Sequence, residues 1–204
     1  MIQMRSNSAS RGMRGSVLGL VALIAVATSL TAQSPVDVVR TRNEAVSRTL
    51  AAVGDSVDDA TREQLKDVIN NLIDFEDLSH RALARHWDAR TEEERADFVD
   101  VFRRLIRNSS VERLGVYRAD SVQYRLRESS GDEATVETLA YRNGKSAEIV
   151  YEMHLKDGAW RAHDIIVDGS STVRTYRDSF NRQIANSSFS AMYNKLVDKL
   201  ESGR

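Results

Sequence analysis

Cysteine is absent from the 204 residues. The chain therefore has no disulfides, must be held by its core alone, and cannot carry a lipid attached through a cysteine. Proline occurs once, at Pro35, and no low-complexity tether or internal repeat interrupts the sequence. Nothing in it suggests a second domain on a flexible linker. The longest charge-free apolar run, Val17 to Leu30, has about 14 residues, short of the roughly 20 that a membrane-spanning helix needs. Nucleophile elbow, glycine-rich phosphate loop and paired Cys/His motif are all missing. Of the four histidines, His80 and His86 lie six apart in a predicted helix and face different ways, so no metal or other cofactor is expected.

What is present begins with an export signal. Arg5, Arg11 and Arg14 precede the apolar run, and Thr31-Ala32-Gln33 follows it with a small residue at Ala32. That order is a secretory signal peptide, so residues 1–32 are expected to be removed and residues 33–204 to form one domain. The remaining 26 basic and 30 acidic residues give a charge of −4, which argues against a nucleic-acid partner. With 41% hydrophobic and 29% charged residues, the balance is that of a folded globule.

Four helices are predicted first. Ser34-Pro35 opens one with Val39, Val46, Leu50 and Val53 on a face. Thr61 with Gln64 resembles a capping box before Leu65, Val68, Ile69 and Leu72. Asp74 caps a third helix, and Thr91 with Glu94 forms the box of a fourth carrying Phe98, Phe102, Leu105 and Ile106. The period then changes to two. Val122, Tyr124 and Leu126 start a strand, and Gly131-Asp132, Asn143-Gly144 and Asp157-Gly158 are turns between four strands. Gly169-Ser170-Ser171 reads as the end of the sheet and the cap of a fifth helix, and a sixth carries Phe189, Met192, Leu196 and Leu200. The expected fold is α+β, a four-stranded antiparallel meander with about six helices packed on it, NTF2-like in general appearance.

Asp164 stands out as a carboxylate inside an apolar strand, on the face of Trp160, Ala162 and Ile166 by alternation. It is expected to be structural, holding the strand end near the Gly169-Ser170-Ser171 turn. The alternative is a small exported NTF2-like enzyme using Asp164 and His163 as acid and base, but neighbours in a strand point to opposite faces.

Two stretches together resemble the MlaC family, also called the toluene-tolerance auxiliary family, of periplasmic phospholipid-binding proteins. One runs from Asp74-Phe75 through Ala82-Leu83-Ala84-Arg85-His86-Trp87 and Thr91-Glu92-Glu93-Glu94-Arg95 to Phe98 and Phe102-Arg103. The other is Trp160 to Ser171, similar to the family's W-x-x-Y-D signature before a helix. Ala84 stands where the family often has glycine, and His163 where tyrosine is usual.

The resemblance implies a non-enzymatic lipid carrier with phospholipid as cargo. It also implies two partners, an inner-membrane ABC transporter complex and an outer-membrane lipoprotein–porin complex. The other alternative is a periplasmic adaptor without a lipid ligand. Period and apolarity then nominate the pocket wall: Val122, Tyr124, Leu126, Ile149, Tyr151, Met153, Trp160 and Ile166 from strands, with Phe98, Phe102, Tyr176 and Phe180 from helices.

Overall fold

Each of the six α-helices among the described residues begins with a short polar side chain that accepts the N–H three residues on, satisfying a donor the helix itself leaves unpaired. The computed structural model describes residues 33–54 and 56–202, and the expected leader, residues 1–32, lies outside the described residues. Ser34 caps α1 (Pro35–Val53), Asp58 caps α2 (Asp59–Asn70), and Asp74 caps α3 (Phe75–Leu83). Thr91 and Glu94 form a reciprocal capping box on α4 (Glu92–Ser110). Ser171 caps α5 (Thr172–Asn186), and Ser188 caps α6 (Phe189–Glu201). The expected Thr61 box on α2 is corrected: Asp58 accepts from the Thr61 N–H at 2.7 Å, so the helix starts a turn earlier.

Between α4 and α5 lies an antiparallel meander of β1 (Ser121–Ser130), β2 (Glu133–Arg142), β3 (Lys145–Lys156), β4 (Ala159–Val167) and β5 (Ser170–Ser171), in that spatial order. The sheet has five strands rather than four. Asn143-Gly144 and Asp157-Gly158 turn with positive φ at both residues, 51° and 73° in the first and 52° and 75° in the second. Asp168-Gly169 repeats the pattern at 47° and 80°, so what reads as the end of the sheet is a third such hairpin.

A bulge in β4 decides which side chains face inward. Glu152 pairs with Asp164 but Met153 pairs with Ala162, leaving His163 as an extra residue. Beyond it the alternation inverts. Ile165 pairs with Tyr151 and Val167 with Ile149 on the inner face, while Ile166 pairs with Val150 on the outer one. The expected inward placement of Ile166 is therefore corrected, because one inserted residue swaps the faces. On β1, Leu126 stands opposite Val136 on the inner face, yet it is 44% exposed because it lies at a sheet edge.

Three buried clusters result. Helices α3 to α6 build one around Phe98, Phe102 and Phe180. The inner sheet face builds a second with Val39 of α1, and α1 with α2 builds a third around Leu50 and Leu65. Backbone bonds join the segment before α3 to the sheet, from Ala162 N–H to Leu72 O at 2.8 Å and from Asp74 N–H to Ala162 O at 2.9 Å. Among the described residues no helix is long and apolar enough to cross a membrane.

Two features carry stability predictions. Ala84 ends α3 at φ 46° and ψ −120°, a conformation suited to glycine rather than to a side chain with Cβ. Ala84→Gly is expected to stabilise the fold by about 1 kcal/mol, raising the melting temperature by roughly 2–4 °C in thermal denaturation. Asp74 is the second. Burial opposes its ionisation, but the Lys156 ammonium at 2.8 Å, the Asp77 N–H and His154 outweigh burial and hold its carboxyl below the ordinary value. A group lowered in this way gives stability that is complete above its unfolded value near 4. That stability is lost as pH falls through the folded value. Denaturant titrations below pH 4 are expected to show this acid limb in the native protein and a shallower one in Asp74→Asn.

Candidate functional site

The sheet and helices do not close on one another completely. A cavity of about 450 Å³ remains between β3, β4 and the start of α5 on one side and α2, α3 and the end of α4 on the other. Ile69, Ile73, Leu78, Ile106, Ile149 and Ile165 supply apolar wall. Exposed Glu112 and Ser170 lie at its rim, whereas Arg42, Asn70 and Tyr151 are buried within.

Arg42 is the least expected of these. It is only 6% exposed, and it bridges three elements. Its Nη1 donates to Ile69 O at 2.8 Å, and its Nη2 donates to Asn43 Oδ1 at 2.9 Å and to the Tyr151 hydroxyl at 2.6 Å. The guanidinium carbon sits 4.9 Å from the centre of the Tyr151 ring. Ile69 lies in the last turn of α2, where carbonyls carry partial negative charge. Burial, which Arg42's charge opposes, pushes the neighbouring Tyr117 phenol well above its usual range, so that hydroxyl stays neutral. The sequence reading misses Arg42, yet a signal is there. Arg42 and Asn43 fall on the same stripe as Val39, Val46 and Leu50, where the helical period asks for apolar residues.

The structure distributes the twelve nominated residues unevenly. Ile149, Tyr151 and Tyr176 line the cavity. Met153 is buried in the cluster on the inner sheet face, against which Tyr124 and Trp160 also pack, and none of the three lines the cavity. Phe98, Phe102 and Phe180 form the aromatic centre of the helical cluster, with ring centroids 5.5–5.6 Å apart. They are core rather than wall, since periodicity finds a buried face and says nothing of whether that face borders space. Tyr176 links the two, its ring 4.7 Å from Phe102. Val122 is half-buried, Leu126 is exposed and Ile166 faces outward, so none of these three lines the cavity.

Asp164 is 5% exposed and fully engaged. One carboxylate oxygen accepts from the Ile165 N–H at 2.8 Å and the Val173 N–H at 3.0 Å. The other accepts from the Ser171 hydroxyl, while Ser171 Oγ accepts from the Arg174 N–H at 3.0 Å. The carboxylate thus fastens β4 to the first turn of α5, beside the cavity. Among the described residues no group of three or more His, Asp or Glu is placed to hold a metal ion.

Fold and site define a class: an α+β protein with a largely apolar cavity, open to solvent, between its sheet and its helices. The model of the MlaC family, described as MlaC protein, matches residues 43–198. The chain belongs to this family, and with the family goes the non-enzymatic class. No curated protein matches its sequence. Among solved structures, it is similar to a phospholipid-binding protein from Ralstonia solanacearum, determined in complex with a phospholipid. The two are 19% identical with a TM-score of 0.72, covering 84% of this chain and 99% of that one. At that identity the likeness establishes a shared fold.

The Asp164 clamp generates a prediction. Asp164→Asn keeps the acceptor for Val173 but removes the charge, and is expected to lower unfolding free energy by about 1–3 kcal/mol. Denaturant unfolding followed by circular dichroism measures this. An unchanged midpoint would show that the carboxylate does not hold the strand to the helix.

Proposed function

We propose that this protein is an exported periplasmic carrier that takes phospholipid into its cavity. It shuttles this cargo between an inner-membrane ABC transporter complex and an outer-membrane lipoprotein–porin complex, and so maintains the lipid asymmetry of the outer membrane. The apolar-walled cavity is the observation that carries this reading. Family membership and the phospholipid held by the Ralstonia solanacearum protein support it.

Magnitudes show what such a cavity achieves. At roughly 30 Å³ for a water-sized group, about 450 Å³ holds on the order of fifteen methylenes, about one acyl chain. Burying all of them at about 0.8 kcal/mol each gives an upper bound of roughly 12 kcal/mol, reduced by the cost of association and by the cavity's opening to solvent. A docking partner that favours a conformation holding the lipid less well then releases it. A second acyl chain requires the sheet and the helices to part further.

Native mass spectrometry of the protein purified from the periplasm tests this. The expected result is a mass excess equal to a phospholipid, released on denaturation; a bare polypeptide mass overturns the reading. Val167→Trp, which projects a ring into the cavity from β4, is expected to lower the loaded fraction several-fold. Its effect on stability is expected to stay within about 1–3 kcal/mol.

A further inference from the structure

The open part of the inner sheet face stops at a definite row. On β3 the inward-facing Ile149 and Tyr151 line the cavity, and the next inward residue, Met153, does not. On β4 Val167 and Ile165 line it, and Ala162 does not. On α1 Arg42 lines it, and Val39, about one turn earlier, does not. Beyond the row of Tyr151 and Ile165, the fully buried Val39, Val136, Met153 and Ala162 form one solid cluster. The Arg42 guanidinium stands at this boundary, 4.9 Å from the centre of the Tyr151 ring.

An end wall made of methionine yields to a pressing chain by changing rotamer. The wall at Arg42 is braced instead. Its guanidinium donates to Ile69 O, Asn43 Oδ1 and the Tyr151 hydroxyl, so it is held from α2, α1 and β3 at once. Displacing it breaks hydrogen bonds of a buried cation, and losing even one costs more than burial of one further methylene gains. Exposed Glu112 and Ser170 mark the cavity's opening to solvent. The cavity thus has a fixed end and an open one. An acyl chain whose tip has reached the fixed end leaves any surplus methylenes at the open end, in water.

We infer that Arg42, braced on Tyr151, is a stop that sets the longest acyl chain the cavity accommodates, about fifteen methylenes by volume. This rests on the carrier reading and adds to it a selection among lipids by tail length.

Competition between vesicles and protein tests the inference. The delipidated protein is equilibrated with phosphatidylcholine vesicles carrying equal mole fractions of saturated lysophosphatidylcholines, with chains of fourteen, sixteen, eighteen, twenty and twenty-two carbons. Mass spectrometry then reads the lysolipids loaded on the separated protein, each relative to its fraction in the vesicles. Chains of fourteen and sixteen carbons are expected to load equally, because membrane and cavity gain alike from each methylene. Beyond the stop a further methylene is buried in the membrane only, so loading is expected to fall by up to roughly fourfold per carbon. The twenty-carbon chain is expected at least about tenfold below the sixteen-carbon one. In Arg42→Ala the fall is expected to begin about two carbons later, in the space the guanidinium vacates. Equal loading of every length by the native protein overturns the inference and leaves the carrier reading standing, without requiring any variant to fold. A folded Arg42→Ala protein whose fall begins at the native length overturns the assignment of the stop to Arg42. Failure of every lysolipid to load overturns both the inference and the carrier reading.

Discussion

Arg42 reaches from α1 to the end of α2 and to Tyr151 in β3, and the space beside it depends on that reach. A void in a folded protein persists only where its walls are kept from collapsing, because close packing is otherwise favoured. Here the walls belong to separate clusters of buried side chains, one on the sheet, one among α3 to α6, and one between α1 and α2. Hydrogen bonds from the Arg42 guanidinium join the sheet to the α1–α2 pair, alongside Val39 packed on the sheet and the backbone bond from Ala162 to Leu72. Each bond is directional, so it sets the angle and length of the join, whereas apolar contact resists compression but lets surfaces slide.

The fold thus divides its labour. Aromatic rings of α4, α5 and α6 provide a conventional solid core, while the sheet contributes an apolar face that is covered by α1 in one part and left bordering space in another. With no cysteine to cross-link them, the parts are joined by backbone bonds at Ala162 and by buried polar groups at Arg42 and Asp164. Those polar groups lie at the boundary between clusters, where directional bonds can set spacing that packing alone leaves free.

Much of this architecture was legible in the chain, because local chemistry dictates it. The Asn-Gly and Asp-Gly pairs set the hairpins, Ser34, Asp74, Thr91 and Ser171 set the starts of four helices, and the alternation in Ile149, Tyr151 and Met153 set the buried face of β3. The inner face of β4 was not legible, since the inserted His163 is an event of pairing between strands and leaves no trace in alternation. The fifth strand was hidden by its length of two residues, although Asp168-Gly169 repeats the other hairpin turns. The division of aromatic residues between core and cavity was not legible either. Phe102 and Tyr176 lie on equally apolar faces, and only the arrangement of neighbouring helices makes one of them solid core and the other wall. Arg42 and Asn43 were a visible anomaly in the stripe of α1, of the kind that marks a residue serving something other than the core.

The clamp at Asp164 has a mechanical consequence. It grips only the first turn of α5, through Ser171 and the Val173 N–H, and Tyr176 follows one turn later at the cavity wall. Farther along, Phe180 is buried in the aromatic cluster and His86 lies 2.9 Å from Asn181. The helix is thus held along its length, so the wall that Tyr176 provides is set by the sheet at one end of α5 and by the aromatic core in its middle.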